Sequence, residues 1–525
     1  MKMKNKINIL VGLLCMMLTT SCNDWLDLKP NNEQVTDDYW KSKEDVESVV
    51  TSGYYYMREC VPYYIKWGEL RGGAFYSMNS DDVKLQDFNL TPSYKLCEYA
   101  NFYKVIDNAN SVLHYAPAVR SIDNTYYESV MNSHLCEAYF QRAYSYLILL
   151  KNYQSVPLIT EPYVDDSQSF DVKKSTEEEI VGRIKKDVET ALATGAAKGS
   201  YEETWQTKGR VTKWALYALM ADVCLWNEDY EECVKYCDMI LNATDAFRPV
   251  FVSNTNDWYT LFFPGNSNES IFELNWDYNI ELKNNNFASL WSQSASSRLR
   301  FSREAIEKMR AETEELEKAG MLLDGRAGRM YLATYVTDNG APYQTANNFY
   351  FWKYNGNEVV DITGGVRTHQ DANFIIYRVA EIMMMKAQAE IMLGHNREAL
   401  TQINRIRNRA GLANFKGIDL DDPLMEEEIN NLSKLELLEE VLDQKELEFM
   451  GEGKRWYDLL WFGRIDKNAY VDLFVDEVLK GNQTTNLSWI RSVLVDKNAW
   501  YMPIPQSDMD RNRLLEQNPY YEIAN

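Results

Sequence analysis

Histidine, cysteine and proline are scarce in this chain of 525 residues, which contains 4, 8 and 13 of them respectively. No histidine pair follows the H-E-x-x-H pattern, and the cysteines follow neither C-x-x-C nor another zinc spacing. Cys233 and Cys237 lie four residues apart on one face of a predicted helix, so we expect small core residues and no disulfide there. The composition therefore argues against a disulfide framework and a motif-based zinc enzyme.

Basic residues are few relative to acidic ones. The chain has 55 Lys and Arg against 78 Asp and Glu, a net charge of −23. Such a negative field repels phosphate, so nucleic acid is not expected as a partner. The sequence also lacks a G-x-S-x-G motif, a Walker A motif and a dinucleotide fingerprint. No catalytic carboxylate pair can be singled out among so many acids. The sequence therefore predicts a protein that is not an enzyme.

Long hydrophobic runs are absent, with one short exception at residues 7–18. These 12 residues span roughly 18 Å as a helix, well short of a bilayer core of about 30 Å. Three lysines precede the run, and Thr-Thr-Ser leads into Cys22, so we predict a signal peptide over 1–21 and lipidation of Cys22. Leu18 stands four residues before Cys22 and not three. An ordinary signal peptide with an incidental cysteine is the alternative.

Helical periodicity dominates the rest of the chain. Tyr230, Cys233, Val234, Cys237 and Leu241 form one apolar stripe that predicts a helix over 229–241, after another helix over 213–226. A second helix–turn–helix unit runs through 389–400, and both units resemble tetratricopeptide repeats. Residues 103–113 and 137–150 predict further helices. We therefore expect a mainly α fold, with a tetratricopeptide-like helical repeat scaffold packed against a loop-rich half with a few short strands.

The loop-rich half lies between the two repeat units. Residues 241–373 are rich in Asn, Ser, Gly and Trp, with short strands or extended loops expected at 251–252, 270–274 and 348–352. One helix is predicted within it, over 302–320, with Ser302 as its N-cap. Loops held by a rigid scaffold are common locations for binding residues.

Several motifs, taken in order, carry a resemblance to a known family. They are CNDWLDLKP (22–30), EAYFQRAY (137–144), VPL (156–158), GRVTK (209–213), INRIRNRAGL (403–412), EGKRWYDL (452–459), PIP (503–505) and QNPY (517–520). Together they resemble the RagB/SusD family of outer-membrane nutrient-uptake lipoproteins. Gln444-Lys445 and Tyr520 depart from the family pattern at positions expected to be structural.

The resemblance implies a single SusD-like domain over 22–525, with an N-terminal part at about 23–240, an insertion at about 241–373 and a C-terminal part at about 374–525. It implies a lipid-anchored, surface-exposed location on the cell outer membrane. It also implies a role as lid to a SusC-like TonB-dependent transporter, with an oligosaccharide captured for uptake and not cut. Three alternatives stay open: a peptide-binding lid, a glycoside hydrolase, and a structural repeat protein with only protein partners.

Candidate ligand-binding residues are aromatic, on loops, and flanked by polar groups, because sugars present C–H faces and rings of hydroxyls. Three stretches satisfy this description. They supply Tyr76, Asn79, Trp276, Tyr278, Trp291 and Arg298 as predicted ligand contacts. Burial in the core is the alternative for each aromatic residue, and we assign Trp40 and Trp456 to the core.

No cofactor is expected. A structural calcium ion is the one exception considered, because Asp81-Asp82 and residues 419–422 supply carboxylates suited to a hard cation. Neither stretch has EF-hand spacing.

Overall fold

The computed structural model describes most of the chain after residue 38. The described residues are 39–164, 168–292, 295, 298–318, 351–356, 367, 369–482 and 486–522. The predicted signal peptide and Cys22 lie outside them. Within them the chain is mainly helical with four short strands, so the predicted fold class is confirmed. No helix in these ranges is both long and apolar enough to cross a membrane.

Nine helices precede the loop-rich half in the described ranges. They are α1 (Lys43–Glu59), α2 (Val61–Glu69), α3 (Ser80–Gln86), α4 (Ala100–Ile122), α5 (Glu128–Tyr153), α6 (Glu177–Ala193), α7 (Thr204–Gly209), α8 (Lys213–Trp226) and α9 (Tyr230–Leu241). Three of them begin with capping boxes, Ser42 with Asp45 at α1, Thr176 with Glu179 at α6 and Glu203 with Gln206 at α7. Each box satisfies backbone N–H groups that a helix start leaves unpaired.

The remaining described elements include the strands and the C-terminal helices. The strands are β1 (Phe75–Tyr76), β2 (Ser270–Leu274), β3 (Arg300–Phe301) and β4 (Phe374–Arg378). The helices are α10 (Asn285–Trp291), α11 (Arg303–Lys318), α12 (Trp352–Asn355), α13 (Val379–Leu393), α14 (Asn396–Arg409), α15 (Glu426–Asn431), α16 (Lys434–Phe449), α17 (Arg455–Asn468), α18 (Val471–Gly481), α19 (Leu487–Leu494) and α20 (Gln506–Met509).

The helices pack in a continuous series. α1 contacts α4, and contacts then run through α5, α6, α8 and α9 in chain order. α9 packs against α13, which lies 138 residues later, and the series continues through α14, α16, α17 and α18. The two predicted repeat units, α8–α9 and α13–α14, therefore stack directly on each other although the sequence separates them.

The segment between the repeat units leaves and re-enters the helical stack at one place. β2 and β4 pair antiparallel, with Leu274 opposite Phe374 and Ser270 opposite Arg378. The predicted strand at 270–274 is confirmed, as is the Ser302 cap, whose Oγ accepts from the N–H of Ala305 at 3.1 Å. Residues 251–252 have no regular secondary structure. Trp352 begins α12 and so belongs to no strand, and residues 348–350 lie outside the described part.

A buried charge network fastens this segment to the C-terminal helices. It consists of Lys353, Arg378, Arg409, Glu269, Glu448 and Glu452, each almost fully buried. The Arg378 guanidinium donates to Glu452 at 2.9 Å and to Glu448 at 2.8 Å, and Lys353 Nζ donates to Glu452 at 2.7 Å. Because these charges come from distant parts of the chain, the network fixes how the two halves meet.

Motif residues of the N-terminal half are also structural. Arg210 of the GRVTK motif forms two hydrogen bonds with Glu137 of the EAYFQRAY motif, at 3.0 and 2.8 Å. The Tyr54 hydroxyl donates to the same carboxylate at 2.6 Å. The three residues join α1, α5 and the segment between α7 and α8, so Arg210 and Glu137 of these motifs hold helices together.

The tryptophans and cysteines that the sequence assigned to the core are buried or half-buried in the structure. Trp456 is fully buried, and Trp40 is half-buried and stacks on Tyr115 at 4.8 Å between ring centroids. Cys233 and Cys237 are buried and free, as predicted, and the other four cysteines of the described part are free as well.

Candidate functional site

One aromatic cluster connects the three stretches that the sequence singled out. Trp276 follows β2 and lies 6.1 Å from Phe287 on α10, which lies 4.2 Å from Tyr354 on α12 (ring centroids). Tyr354 lies 5.9 Å from Trp291, and Trp291 lies 5.1 Å from Phe75 on β1. The stretches around residues 75, 276 and 291 are therefore brought together, although they are up to about 200 residues apart in the chain.

The two predicted platform tryptophans lie mostly inside this cluster. Trp276 is 8% exposed and Trp291 is 2% exposed. Trp291 packs against Phe351 at 4.4 Å, and its indole Nε1 has no hydrogen-bond partner among the described residues. A ring with so little exposed surface cannot stack on a sugar, so ligand contact by these tryptophans requires the neighbouring side chains to move. Their role as ligand contacts stays a prediction.

Tyr278 lies at the accessible edge of the same region. It opens a tight turn in which the backbone of Asp277 and Leu282 exchange two hydrogen bonds of 3.0 Å. Its half-buried ring stacks on the exposed His369, with 3.9 Å between centroids and 17° between planes. Lys283 Nζ lies 5.1 Å from the Tyr278 centroid. This arrangement offers an aromatic surface edged by hydrogen-bond donors.

Tyr76, Asn79 and Arg298 lie at the other end of the cluster. Tyr76 is half-buried and pairs across the β1–β3 ladder with Arg300, whose guanidinium donates to the carbonyl of Arg298 at 3.4 Å. The Asn79 side-chain oxygen caps α3 by accepting from the N–H groups of Asp81 and Asp82, at 2.9 and 3.4 Å. The cap uses this oxygen, so the amide NH₂ is the Asn79 group left for a ligand.

Two residues that the sequence did not single out, Trp205 and His369, lie against the stretch from Asn275 to Tyr278. Trp205 on α7 is 55% exposed, and its carbonyl accepts from Asn275 Nδ2 at 2.8 Å. The carbonyl of Asn275 in turn accepts from Arg58 at 3.4 Å. Trp205 lies four residues before the GRVTK motif in a polar segment, and a tryptophan among polar residues was the available signal. His369 has no such signal, because its contact with Tyr278 joins positions 91 residues apart in the chain.

Two ionisable groups lie buried beneath this surface. Burial raises the pKa of Glu273 on β2 to about 7 and lowers the pKa of Lys208 on α7 to about 8. Lys208 Nζ donates to the carbonyl of Ser270 at 2.6 Å. Burial disfavours the charged form of each group, which explains the opposite directions of the two pKa shifts.

The carboxylates considered for calcium serve other contacts. Asp82 pairs with Lys66 at 2.6 Å and accepts from the Ser77 hydroxyl at 2.9 Å. Asp422 caps the short turn Pro423–Met425. Within the described ranges, no group of three or more His, Cys, Asp or Glu side chains is arranged to hold a metal ion. A structural calcium ion stays a prediction.

Comparisons with known proteins agree across the chain. Residues 300–521 match the family model described as the SusD family, and residues 24–225 match the model described as starch-binding associating with outer membrane. A SusD-like protein from Formosa agariphila is 24% identical over 87% of this chain and 92% of its own length. A SusD-like protein from Bacteroides ovatus is 22% identical, with 99% of both chains covered.

Solved structures show the same fold. A SusD superfamily protein from Bacteroides vulgatus superposes with a TM-score of 0.69 at 20% identity, covering 91% of this chain and 99% of that one. A laminarin-binding SusD-like protein superposes with a TM-score of 0.65 at 18% identity, covering 92% and 100%. With two models matching both halves and the fold shared throughout, the chain belongs to the SusD/RagB family.

Proposed function

We propose that this protein binds oligosaccharides at the outer membrane and passes them, uncut, to a TonB-dependent transporter. The observation that carries the proposal is the family match over both halves of the chain. The model that matches residues 24–225 is described as starch-binding and associated with the outer membrane, and one solved relative of the same fold binds laminarin.

The aromatic cluster and its accessible edge are the proposed binding surface. Tyr278 with His369 supplies a stacked aromatic surface, and Lys283 and Asn275 supply polar groups near it. Aromatic rings cover the C–H faces of a sugar, while amide and cationic groups donate to its hydroxyls. Trp205 extends the exposed aromatic surface on the side of Asn275.

A panel of glycans tests this proposal. The full-length protein, processed in the cell and purified in detergent, is titrated by calorimetry with plant, host and microbial glycans, laminarin included. Each glycan is afterwards assayed for new reducing ends. We expect saturable binding of at least one glycan and no cleavage. New reducing ends contradict the proposal in favour of a glycoside hydrolase.

Variants locate the site. Tyr278→Ala and Trp205→Ala are expected to weaken glycan binding about tenfold each, since loss of one stacked ring costs on the order of 1–2 kcal/mol. Tyr127→Ala is the matched control, because Tyr127 is an exposed tyrosine at the start of α5. Unchanged affinity in both site variants places the glycan elsewhere. If no glycan of the panel binds, the proposal is contradicted in favour of a peptide ligand or a structural role.

A further inference from the structure

A cavity lies in the helical half and shares no residue with the aromatic cluster. It has a volume of about 610 Å³ and is formed by α4, by residues 157–163 and 170–172, and by residues 508–515. Ligand sites in proteins have volumes in this range. Its lining extends from Tyr99 to Asn110 along α4, which is roughly 16 Å at the rise of a helix.

Aromatic side chains form much of its wall. Tyr99 and Tyr103 lie 5.2 Å apart between ring centroids, and Tyr163 stacks on Phe170 at 4.8 Å. Phe170 is 55% exposed at the mouth. The π faces of such rings carry partial negative charge and attract cations.

Two carboxylates also line this cavity, and neither has an ion-pair partner in the part of the chain that the structure describes. Asp107 follows Tyr103 by one helical turn on α4, and Asp508 accepts a hydrogen bond from the Tyr99 hydroxyl. Among the described residues, no Lys, Arg or His nitrogen lies within 4.0 Å of either carboxylate. Asp508 is half-buried and Asp107 is exposed, and desolvation by the surrounding side chains raises the pKa of both carboxyl groups.

These two acids contrast with other carboxylates in the helical half. Asp187 is paired with Arg142 at 2.7 Å, and Asp222 is paired with Lys151 at 2.7 Å. Of the two bases that line the cavity, Lys104 has its ammonium 5.2 Å from the Tyr56 ring of α1, and the exposed Arg511 lowers the pKa of Asp508 through its charge without an ion pair within 4.0 Å. A half-buried carboxylate such as that of Asp508 is stabilised when a cation approaches it, and the exposed Asp107 adds a second negative charge on the same wall. The cavity is therefore suited to a positively charged ligand group.

Aliphatic side chains complete the lining, Ile106 and Leu515 among them. Such a wall offers no hydrogen bond to a sugar hydroxyl, but it accommodates an apolar side chain. We propose that this cavity binds a short peptide segment in which a Lys or Arg side chain adjoins a large apolar side chain. The basic group meets the aromatic rings and the two carboxylates, and the apolar group meets the aliphatic wall. About five extended residues fit the 16 Å length.

Calorimetry with designed peptides tests the proposal, independently of any glycan binding. The probe is acetyl-Gly-Phe-Arg-Leu-Gly-amide, added to the full-length protein in detergent, and the comparison peptide has Gln in place of Arg. We expect the Arg peptide to bind at least tenfold more tightly. In a D107N/D508N variant the two peptides are expected to bind equally and weakly. A D419N/D421N variant, which changes two acids of a different loop, is the control and keeps the tenfold preference.

Two further measurements keep the proposal falsifiable. Phe170→Ala changes an exposed ring and is expected to weaken both peptides without lowering the melting temperature. Equal affinity of the Arg and Gln peptides for the unaltered protein overturns the proposal, as does an unchanged preference in D107N/D508N. Displacement of the bound peptide by a laminarin oligosaccharide overturns it as well, since the cavity would then be a sugar site.

Discussion

At the scale of single residues, buried charge is the most consequential feature of the molecule. In the buried charge network, three glutamates face Lys353, Arg378 and Arg409, and all six side chains are almost fully removed from solvent. Such groups cost several kcal/mol to desolvate and are tolerated because each has a partner. The network therefore fixes one arrangement of the loop-rich half against α13, α14 and α16.

Replacing Arg378 by Met tests this interpretation. Met fills a similar volume but leaves three buried glutamates with only two cations, so we expect the free energy of unfolding to fall by about 3–5 kcal/mol. Denaturant unfolding followed by circular dichroism measures the loss. Arg303→Met is the control, because Arg303 is exposed and its pair with Glu307 contributes less than about 1 kcal/mol. Equal losses in both variants would contradict the structural role.

Glu69 predicts a pH dependence of stability. Burial raises its pKa from 4.5 to about 8, and Oε1 accepts from the N–H of Gly453 at 2.7 Å. Between pH 4.5 and 8 the folded chain keeps a proton that the unfolded chain releases, so stability falls as pH rises through this window. Glu69→Gln keeps the acceptor oxygen and removes the titration.

The free energy of unfolding of Glu69→Gln minus that of the unaltered protein is therefore expected to be larger at pH 9 than at pH 5, by about 2 kcal/mol or more. Denaturant unfolding at the two pH values measures the gain. Glu428→Gln is the control, because Glu428 is exposed on α15. If the difference between Glu69→Gln and the unaltered protein is the same at both pH values, Glu69 does not titrate in this range.

At the scale of elements, the backbones of α2 and of the loop before α17 lie so close together that no side chain fits between them. A Cβ on Gly68 of α2 would lie 2.0 Å from the carbonyl oxygen of Gly453, which precedes α17. Gly68→Ala must push the two segments apart, and we expect it to lower the free energy of unfolding by about 1–3 kcal/mol.

Gly182 of α6 is the matched control for Gly68. It is exposed on the helix, and a methyl group added to it would meet no other atom within 4 Å. Gly182→Ala is expected to raise the free energy of unfolding by about 0.5–1 kcal/mol, because alanine loses less backbone freedom on folding. Thermal and denaturant unfolding of both variants measures these changes. A Gly68→Ala variant that is more stable than the unaltered protein would show that α2 and the Gly453 loop are not in contact.

The elements are also where the sequence was most informative. The predicted helix over 213–226 coincides with α8, and the helix over 229–241 differs from α9 by one residue, because an apolar stripe of period 3.6 is a local signal. The burial of Trp276 and Trp291 could not be predicted in this way. Their cover comes from Phe287, Phe351 and Tyr354, which reach them only after the chain between the repeat units has folded back. Local patterns carry no information on such contacts.

At the scale of the whole molecule, the inserted segment forms the proposed binding surface without interrupting the stack of helical repeats. α9 and α13 stack as sequential repeats do, so the scaffold is unbroken, while β2 and β4 hold the start and end of the inserted segment together. The aromatic cluster is formed by this segment and by β1, outside the helical stack. Substitutions in the inserted loops are therefore expected to change which ligand the protein binds while the helical scaffold stays the same.

Attachment to the membrane is predicted to depend on Cys22 alone. No helix of the described part is long and apolar enough to span a bilayer, and the net charge of −23 opposes binding to anionic lipid surfaces. A thiol carrying several acyl chains supplies the missing affinity, since each buried CH₂ contributes about 0.8 kcal/mol. Cys22→Ser is therefore expected to abolish incorporation of labelled palmitate and to move the protein from the membrane fraction to the soluble one.

Cys15→Ser is the matched control for this experiment, because Cys15 lies inside the predicted signal peptide and is removed with it. That variant is expected to keep both the label and the membrane location. If Cys22→Ser instead stays in the membrane fraction after a wash in 1 M salt and still takes up palmitate, another residue carries the lipid. If it loses the label but stays in the membrane fraction, the protein is held there by a protein partner, and the transporter proposed above is the first partner to look for in that fraction.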